Sequence, residues 1–533
     1  MKVVIVGGVA GGASAAARLR RLDEDAKIII FERSHYVSYA NCGLPYYLGG
    51  IIKDESDLLL ETAESLYERF RIDVRVDSEV ISVDIANKTV TVKHAGHEYK
   101  ESYDHLILAP GSTYRKLYTN EDKLAHLKNV EDVRYLKKAL VKAQKIAIIG
   151  GGFIGIETAE NLRHIGKEVA IFEYADHILA NLDPDMAMYL EDEIRKNDIE
   201  LHLQARIKEI SDDQNITLED GTVYDYDLVI VAAGVRANTD FLKDSGIELD
   251  ERGNIITDEY MMTSAIDVWA CGDATVSPHF ISGKLENVAL AGPANKQGRL
   301  IADNICGLKR AYDGSIGTSI IKVFDLAGAS TGYNTARLKR DGYTFKTICT
   351  HPSSHATYYP GAKALHIKLF YDEDHLILGA QVVSKEGADK FIDVIATAIK
   401  AKMRVEDLSD LELAYAPPFL SAKSPANYLG FIASNVFNDL EELILENELP
   451  KGAIILDVRT KEEYDRGHLD NSINIPVDEL RERLDELEMY KDDIIDVYCA
   501  VGIRAHIASR ILIAKGYKTR NITGGYSSHR AYS

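Results

Sequence analysis

Two glycine-rich turns, each between an apolar strand and a helical stretch, constrain this 533-residue chain more than any other feature. The first covers residues 7–12 and the second covers residues 150–155, about 140 residues further on. Each unit continues into a second apolar strand that ends at an acidic residue, Glu32 or Glu173. This pattern is typical of a dinucleotide-binding βαβ unit. The sequence therefore predicts two Rossmann-like domains with two dinucleotide sites.

The two turns differ in detail, and we expect them to hold different cofactors. The second turn matches GxGxxG, whereas Val9 replaces the middle glycine of the first. We expect FAD at the first turn and NADH at the second, because Glu173 would bind the ribose hydroxyls and repel a 2′-phosphate. Lys167 and His177 lie nearby in sequence and keep NADPH possible. Three later strands end at glycine, and Asp273 can accept a hydrogen bond from the ribityl chain of FAD or cap a helix. The predicted cofactor-binding residues are Gly7, Gly8, Ala10, Gly11, Gly12, Glu32, Arg33, Gly111, Gly150, Gly152, Phe153, Ile154, Gly155, Glu173, Gly234, Gly272 and Asp273.

Composition excludes several classes of function. The net charge of −21 disfavours non-specific nucleic-acid binding. No apolar run approaches the roughly 18 residues that span a membrane, and the chain opens directly with a strand, so we expect a cytoplasmic protein. The five cysteines are scattered without a CxxC, which predicts reduced thiols and neither a disulfide framework nor a metal site.

Cys42 is the first of two cysteines whose surroundings in the sequence predict a reactive thiol. It lies in a loop, before Gly43 and Pro45, and has no neighbouring cysteine with which to form an internal disulfide. A lone thiol beside a flavin must pair with an external thiol, a sulfane sulfur or an oxygen. We expect the helical segment that follows to favour the Cys42 thiolate through its dipole.

Cys499 is the second such cysteine. It ends an apolar strand and begins a short loop that leads into a helix. This arrangement directs successive backbone N–H groups at the sulfur, as in an anion-binding nest, and Arg504 adds positive charge. The pattern predicts a stabilised thiolate or persulfide.

Residues 1 to about 430 resemble the single-cysteine pyridine nucleotide–disulfide oxidoreductases, and within them the coenzyme A disulfide reductases. The matching segments are residues 7–12, 41–46, 292–299 and 414–418. Residues from about 445 onward resemble a single-domain rhodanese, through segments 457–459, 467–468, 474–476 and the Cys499 loop. The combination resembles a coenzyme A disulfide reductase–rhodanese fusion, a group that includes coenzyme A persulfide and polysulfide reductases.

The resemblance implies an α/β fold with four domains. We expect an FAD-binding domain (1–112 and 228–316), an NAD(P)H-binding domain (113–227), an α+β dimerisation domain (317–434) and an α/β rhodanese domain (445–533). It also implies a homodimer that reduces coenzyme A persulfide, coenzyme A disulfide or polysulfide, with a sulfane-sulfur donor as a second partner. The residues that the resemblance implies at the reacting centres are Cys42, Cys499, Arg504, Tyr415 and a second tyrosine. Tyr358 and Tyr359 are both candidates for the second tyrosine, and we assign it to Tyr359. Those implied for coenzyme A are Ser14, Arg18, Arg21, Ser38, Asn41, Asn295 and Arg299, although Arg18 and Arg21 also suit a solvated helix face.

Two alternatives stay open at this point. An NADH oxidase or peroxidase would cycle the same cysteine through a sulfenic acid, but such enzymes usually carry a histidine in the first turn, where this chain has Ala10. A non-catalytic sulfur carrier or redox sensor would have little use for two dinucleotide motifs.

Overall fold

A computed structural model describes residues 1–118 and 123–529. The chain divides into two compact units, one of residues 1–174 with 199–317, the other of residues 175–198 with 318 onward. Residues 175–198 therefore belong to the second unit, although they fall inside the span predicted for the NAD(P)H-binding domain. Residues 119–122 and 530–533, within two predicted domains, lie outside the described residues.

The first unit contains both glycine turns. Its strands are β1 (Lys2–Val6), β2 (Lys27–Phe31), β3 (Asp73–Arg75), β4 (Ser78–Asp84), β5 (Thr89–His94), β6 (His97–Ser102), β7 (His105–Leu108), β8 (Ser112–Tyr114), β9 (Lys145–Ile149), β10 (Glu168–Phe172), β11 (Ile199–His202), β12 (Ile207–Ile210), β13 (Ile216–Leu218), β14 (Val223–Tyr224), β15 (Leu228–Val231), β16 (Val235–Ala237), β17 (Ile255–Ile256), β18 (Val268–Ala270), β19 (Thr275–Pro278) and β20 (Leu285–Glu286). Its helices are α1 (Ala10–Leu22), α2 (Leu44–Leu48), α3 (Ala63–Phe70), α4 (Val130–Ala139), α5 (Phe153–His164) and, after one helix of the second unit, α7 (Ala291–Ile305).

Two parallel sheets organise the first unit. The first sheet has the order β18-β7-β1-β2-β3 and the second has the order β11-β10-β9-β15. Their central strands are nearly continuous apolar runs because both faces are covered. Val3 and Ile5 pack with Leu19 of α1, and all three are fully buried. Each glycine turn therefore lies at the carboxyl end of a buried central strand, where open α/β sheets bind ligands.

The second unit contains an antiparallel sheet followed by a smaller parallel one. Its strands are β21 (Ser319–Val323), β22 (Leu326–Gly332), β23 (Lys346–Thr350), β24 (Leu365–Tyr371), β25 (Ile377–Ser384), β26 (Leu443–Ile444), β27 (Ile454–Asp457), β28 (Ile473–Asn474), β29 (Ile494–Tyr498) and β30 (Lys518–Ile522). Its helices are α6 (Pro184–Lys196), α8 (Thr335–Arg340), α9 (Ala388–Lys400), α10 (Pro425–Phe437), α11 (Lys461–Asp465), α12 (Ile503–Ala514) and α13 (Tyr526–His529).

The antiparallel sheet has the order β21-β22-β25-β24-β23, as its alternating segments predict. The parallel sheet has the order β26-β30-β29-β27-β28 and places the Cys499 loop after the central strand β29. Its core includes Leu456, Val497 and Leu512, each fully buried. The predicted fold class is confirmed. In the described part of the chain, no helix is long and apolar enough to cross a membrane.

Candidate active sites

The first glycine turn requires glycine at two positions. Gly7 has a φ of +92°, and a Cβ there would lie 2.1 Å from the carbonyl oxygen of Ala109. A Cβ on Gly12 would lie 1.9 Å from the oxygen of Gly7. The N–H of Gly8 donates to Glu32 Oε2 at 2.9 Å, so the buried carboxylate lies beside the turn. A tight turn at the start of α1 with an acidic residue beside it fits the pyrophosphate and ribose of a dinucleotide.

The second turn repeats this geometry. Gly150 has a φ of +112°, and a Cβ on Gly155 would lie 2.0 Å from the oxygen of Gly150. The N–H of Gly151 donates to Glu173 Oε2 at 2.5 Å. Gly152 caps α5, and Phe153 and Ile154 form its first turn. The turn fits a second dinucleotide for the same reasons as the first.

Most of the other predicted cofactor residues follow strands of the first sheet, whereas Gly234 follows β15 of the second sheet, and the structure adds Lys128 to the set. Ser112 donates to Asp273 Oδ2 at 2.8 Å, and Lys128 Nζ lies 2.9 Å from Ser112 Oγ and 3.5 Å from the same carboxylate. The φ angles of the remaining glycines are positive: Gly111 (+65°), Gly234 (+94°) and Gly272 (+79°). Arg33 is exposed, with its guanidinium 4.0 Å from Glu79. Lys128 is the residue that sequence reasoning missed, because no motif marks it.

Cys42 lies in a single 3-10 turn, Asn41–Gly43, directly before α2. The helix has five residues, too short for the dipole effect that we expected. Burial raises the pKa of the Cys42 thiol, the carboxylates of Glu157 and Asp273 raise it further, and Lys128 opposes them. The protein neighbours of this exposed cysteine therefore raise the pKa of its thiol, whereas we expected the helix dipole to favour the thiolate.

Glu157 is a second residue that no sequence motif singles out. It lies on α5, and the hydroxyl of Tyr46 donates to its carboxylate at 3.2 Å. Burial raises the pKa of Glu157 to about 6, while the Tyr46 hydrogen bond lowers it. Burial also raises the pKa of Tyr46 to about 12, with Glu157 as the next contributor. A buried carboxyl group with a raised pKa that also raises the pKa of a nearby thiol marks a candidate functional site.

The residues predicted for coenzyme A lie on and around α1 and α7. Ser14 of α1 donates to Asn295 of α7 at 2.5 Å. Arg18 Nε donates to Asp303 Oδ1 at 2.7 Å, and Arg310 holds the other oxygen of this fully buried carboxylate at 2.9 Å. Arg18 is thus ion-paired rather than a solvated helix-face charge. Arg21 and Arg299 are exposed, and Ser38 and Asn41 are half-buried in the segment that leads to Cys42.

The second unit places one of the two adjacent residues Tyr358 and Tyr359 against Tyr415. The hydroxyls of Tyr358 and Tyr415 lie 2.7 Å apart. Tyr359, the residue assigned from the sequence, instead contacts the ring of His355 edge-on. The structure therefore brings Tyr358, and not Tyr359, together with Tyr415. Both neighbours lie in an irregular turn, where residue spacing does not say which side chain points toward Tyr415, and the sequence therefore left this choice open.

The Cys499 loop holds its sulfur through a backbone hydrogen bond, from the N–H of Gly502 to Sγ at 3.1 Å. The residue is almost fully buried. Arg504 pairs with Glu463 through two hydrogen bonds of 2.6 and 2.7 Å, and this pairing lowers the pKa of Glu463 to about 2. The positive charge expected from Arg504 is therefore shared with a carboxylate.

The buried ion pair of Asp457 and Arg459 lies at the end of β27. Arg459 Nη2 donates to Asp457 Oδ2 at 2.6 Å and to the carbonyl of Gly467 at 2.7 Å. The guanidinium lies 4.0 Å from the centre of the Tyr526 ring. This pair joins the end of β27, the Gly467 turn and α13.

Of the three remaining cysteines, Cys306 is half-buried, with the pKa of its thiol raised mainly by burial, and the other two are structural in setting. All five thiols of the chain are free. Cys271 and Cys349 are buried, and burial raises the pKa of each to about 12. Among the described residues there is no cluster of metal-ligating side chains.

Comparisons with known proteins match three successive parts of the chain. The family described as pyridine nucleotide-disulphide oxidoreductase matches residues 1–298, and its dimerisation domain matches residues 318–426. A rhodanese-like domain matches residues 438–531.

Named relatives and solved structures agree with these matches. The chain is 35% identical to a coenzyme A disulfide reductase of Staphylococcus aureus, over 81% of this chain and 99% of the relative. A crystal structure of reduced Bacillus anthracis CoADR-RHD is 41% identical, with a TM-score of 0.97, over 99% of this chain and 98% of that one. A NAD-dependent persulfide reductase from A. fulgidus is 35% identical, with a TM-score of 0.92, over 99% of this chain and 100% of that one.

Proposed function

Because this chain belongs to the pyridine nucleotide-disulphide oxidoreductase family and carries a rhodanese-like domain, we propose that it reduces coenzyme A persulfide or coenzyme A disulfide with NADH. The observation that carries the proposal is the lone, free thiol of Cys42, placed before α2 between the two glycine turns in sequence. A single thiol can exchange only with a sulfur that the substrate brings.

The two glycine turns would hold the two dinucleotides. Gly7, Gly12 and Glu32 would hold FAD, with Asp273 at its ribityl chain, and the Gly150 turn would hold NADH. The chemistry that bound FAD supplies is the transfer of an electron pair from the hydride of NADH to a sulfur–sulfur bond.

Cys42 would be the nucleophile. With coenzyme A persulfide, its thiolate attacks the outer sulfur, a Cys42 persulfide forms, and coenzyme A leaves as a thiolate that takes up a proton. Cleavage of the Cys42 persulfide by the electron pair from NADH then releases sulfide and restores the thiolate. The sum is CoA–S–SH + NADH + H⁺ → CoA–SH + H₂S + NAD⁺. With coenzyme A disulfide, the intermediate is a mixed disulfide and the products are two CoA–SH.

A homodimer is part of the proposal, since a dimerisation domain follows the first unit. The Tyr358–Tyr415 hydroxyl pair of one subunit would protonate the leaving coenzyme A thiolate at Cys42 of the other. Its 2.7 Å separation supports Tyr358 over Tyr359 for this role. Ser14, Arg18, Arg21, Ser38, Asn41, Asn295 and Arg299 would bind coenzyme A, with the arginines at its phosphates.

Cys499 would supply the sulfane sulfur that is reduced at Cys42, by forming coenzyme A persulfide. Its thiolate takes the outer sulfur of a donor such as thiosulfate, releasing sulfite, and becomes a persulfide. A coenzyme A thiolate then attacks this sulfur, which forms coenzyme A persulfide and restores Cys499. The pantetheine arm of coenzyme A can carry sulfur over a distance that neither side chain spans.

The test compares wild type, Cys42→Ser and Cys499→Ser, with NADH loss and sulfide release measured together. We expect Cys42→Ser to lose turnover of every coenzyme A acceptor while NADH still reduces the flavin. We expect Cys499→Ser to lose sulfide release from thiosulfate with catalytic coenzyme A, and to keep it with preformed coenzyme A persulfide. Normal persulfide reduction by Cys42→Ser would refute the single-thiol mechanism. Oxygen consumption that accounts for all NADH loss would favour an NADH oxidase instead.

A further inference from the structure

The rhodanese loop is attached to the last described residues of the chain, here called the 523–529 segment. The N–H of Tyr526 donates to the carbonyl of Cys499 at 2.8 Å, and the N–H of Ser527 donates to the carbonyl of Ala500 at 3.0 Å. Gly525 has a φ of +55°, and a Cβ there would lie 2.3 Å from the oxygen of Cys499. The segment therefore lies against the loop closely enough to exclude any side chain at Gly525.

The other side of the same segment is bonded to the antiparallel sheet. Thr523 Oγ1 donates to the carbonyl of Cys349 and accepts from its N–H, both at 2.9 Å. The hydroxyl of Ser528 lies 2.9 Å from Nε2 of His351, and both residues are buried. Each partner in these bonds is a buried polar group, so a missing bond would leave a donor or acceptor unsatisfied.

His351 is itself held by a second histidine. Its Nδ1 lies 2.8 Å from Nδ1 of His366, a contact that requires one ring to donate and the other to accept. The ring of Tyr189, on α6, stacks on the ring of His366 with the two ring centres 3.9 Å apart. The Tyr189 hydroxyl donates to the carbonyl of Ser527 at 3.1 Å. Burial lowers the pKa of His351 to about 3 and that of His366 to about 4, so both rings are neutral near pH 7.

We propose that helix α6 and the antiparallel sheet of the second unit position the sulfur-transfer loop, with Tyr189, His351 and His366 acting on Cys499 through the 523–529 segment. The proposal rests on the proposed role of Cys499 as the sulfur carrier. None of the three touches the sulfur, so they are positioning residues. The sulfur-transfer loop is then held in place by the rest of the second unit as well as by the rhodanese domain itself.

The experiment uses the full-length holoenzyme with Tyr189→Phe and Ser528→Ala, each of which removes one hydroxyl at the 523–529 segment. Tyr517→Phe is the matched control, because its hydroxyl contacts Leu484 and Glu488, away from the loop. Ser528→Thr restores the hydroxyl. The readouts are kcat and KM for sulfur transfer from thiosulfate to cyanide, hydrogen exchange of the amides in residues 500–505, and NADH-dependent reduction of coenzyme A disulfide.

We expect roughly three- to tenfold faster exchange of the loop amides in Tyr189→Phe and Ser528→Ala, as for the loss of one hydrogen bond. We expect kcat for sulfur transfer to fall by a similar factor, with coenzyme A disulfide reduction unchanged and Ser528→Thr close to wild type. The inference would be overturned if the loop amides of Tyr189→Phe and Ser528→Ala exchanged no faster than those of Tyr517→Phe. It would also be overturned if Ser528→Thr did not restore the wild-type exchange rate. Hydrogen exchange does not depend on sulfur transfer. A wild type that transfers no sulfur would therefore refute the proposed function of Cys499 separately.

Discussion

Removing Arg459 should unfold the rhodanese domain at much lower denaturant concentration. Its side chain is 4% exposed, and that of Asp457 is fully buried. In Arg459→Leu the carboxylate of Asp457 loses its three guanidinium contacts, two at 3.0 Å and one at 2.6 Å, and keeps the backbone N–H of residue 459 and its contact with Tyr498. Breaking one side of a buried ion pair costs about 3–5 kcal/mol, because the remaining charge is left without compensation.

The assay is a urea titration of the full-length protein, read by hydrogen exchange of peptides from β29. For a domain of this size the dependence on urea is about 1 kcal/mol per molar, so the loss of about 3–5 kcal/mol should lower the midpoint by roughly 3–5 M. Asp457→Asn/Arg459→Leu removes both charges and should recover most of this loss. Arg483→Leu, at an exposed pair with Glu479 and Glu486, is the control and should shift the midpoint by less than about 0.5 M.

Two results would refute this reasoning. One is a midpoint for Arg459→Leu within about 0.5 M of wild type, which would mean that the pair contributes no more than a surface pair. The other is a paired variant as unstable as the single one, which would attribute the loss to packing against Tyr526 rather than to the buried charge.

Three further predictions concern charge and protonation. Glu173→Ala should narrow the preference for NADH over NADPH in kcat/KM, and a wild type that strongly prefers NADPH would contradict the role of this carboxylate. Glu157→Gln should lower the pKa of Cys42, seen as faster alkylation by iodoacetamide above pH 6, and an unchanged alkylation profile would show that this carboxylate does not reach the thiol. Because His351 and His366 have pKa values of about 3 and about 4 in the folded protein, only the unfolded chain takes up their protons between pH 6.5 and 4. The stability of the second unit, measured by urea titration, should therefore fall as pH drops through this window by up to about 1.4 kcal/mol per pH unit for each histidine, and a flat profile would contradict the burial of the pair.

The parts of the site that the sequence predicts are those with a local signal. A turn that needs Gly7 and Gly12, or Gly150 and Gly155, leaves its mark in consecutive residues, because backbone conformation and close packing exclude side chains there. The acidic residue at the end of each second strand follows from the geometry of one βαβ unit. Residue spacing alone therefore locates both turns and both carboxylates.

The parts that the sequence could not predict depend on long-range partners. Glu463 lies 41 positions from Arg504, and the two meet only because α11 and α12 pack in one domain. Lys128 reaches Asp273 across 145 positions. The expected stabilisation of the Cys42 thiolate by a helix dipole failed for the same reason, since the helix is short and Glu157, which raises the pKa of the thiol, lies on the distant helix α5. The electrostatic potential at a site depends on every charged residue that the fold brings near it. Residue spacing in the sequence does not show which residues those are.

The buried thiols of Cys271 and Cys349 affect how sulfur can be exchanged between cysteines of this chain. At neutral pH a thiol with a pKa of about 12 is almost entirely protonated, and protonated thiols do not attack persulfides. Cys271 and Cys349 are therefore silent in exchange, and a labile sulfur atom held on one reactive cysteine cannot be lost by scrambling onto them. A reactive sulfur is therefore not passed on to these two thiols, and a thiol count on the native protein reads the other cysteines, including the half-buried Cys306, without them.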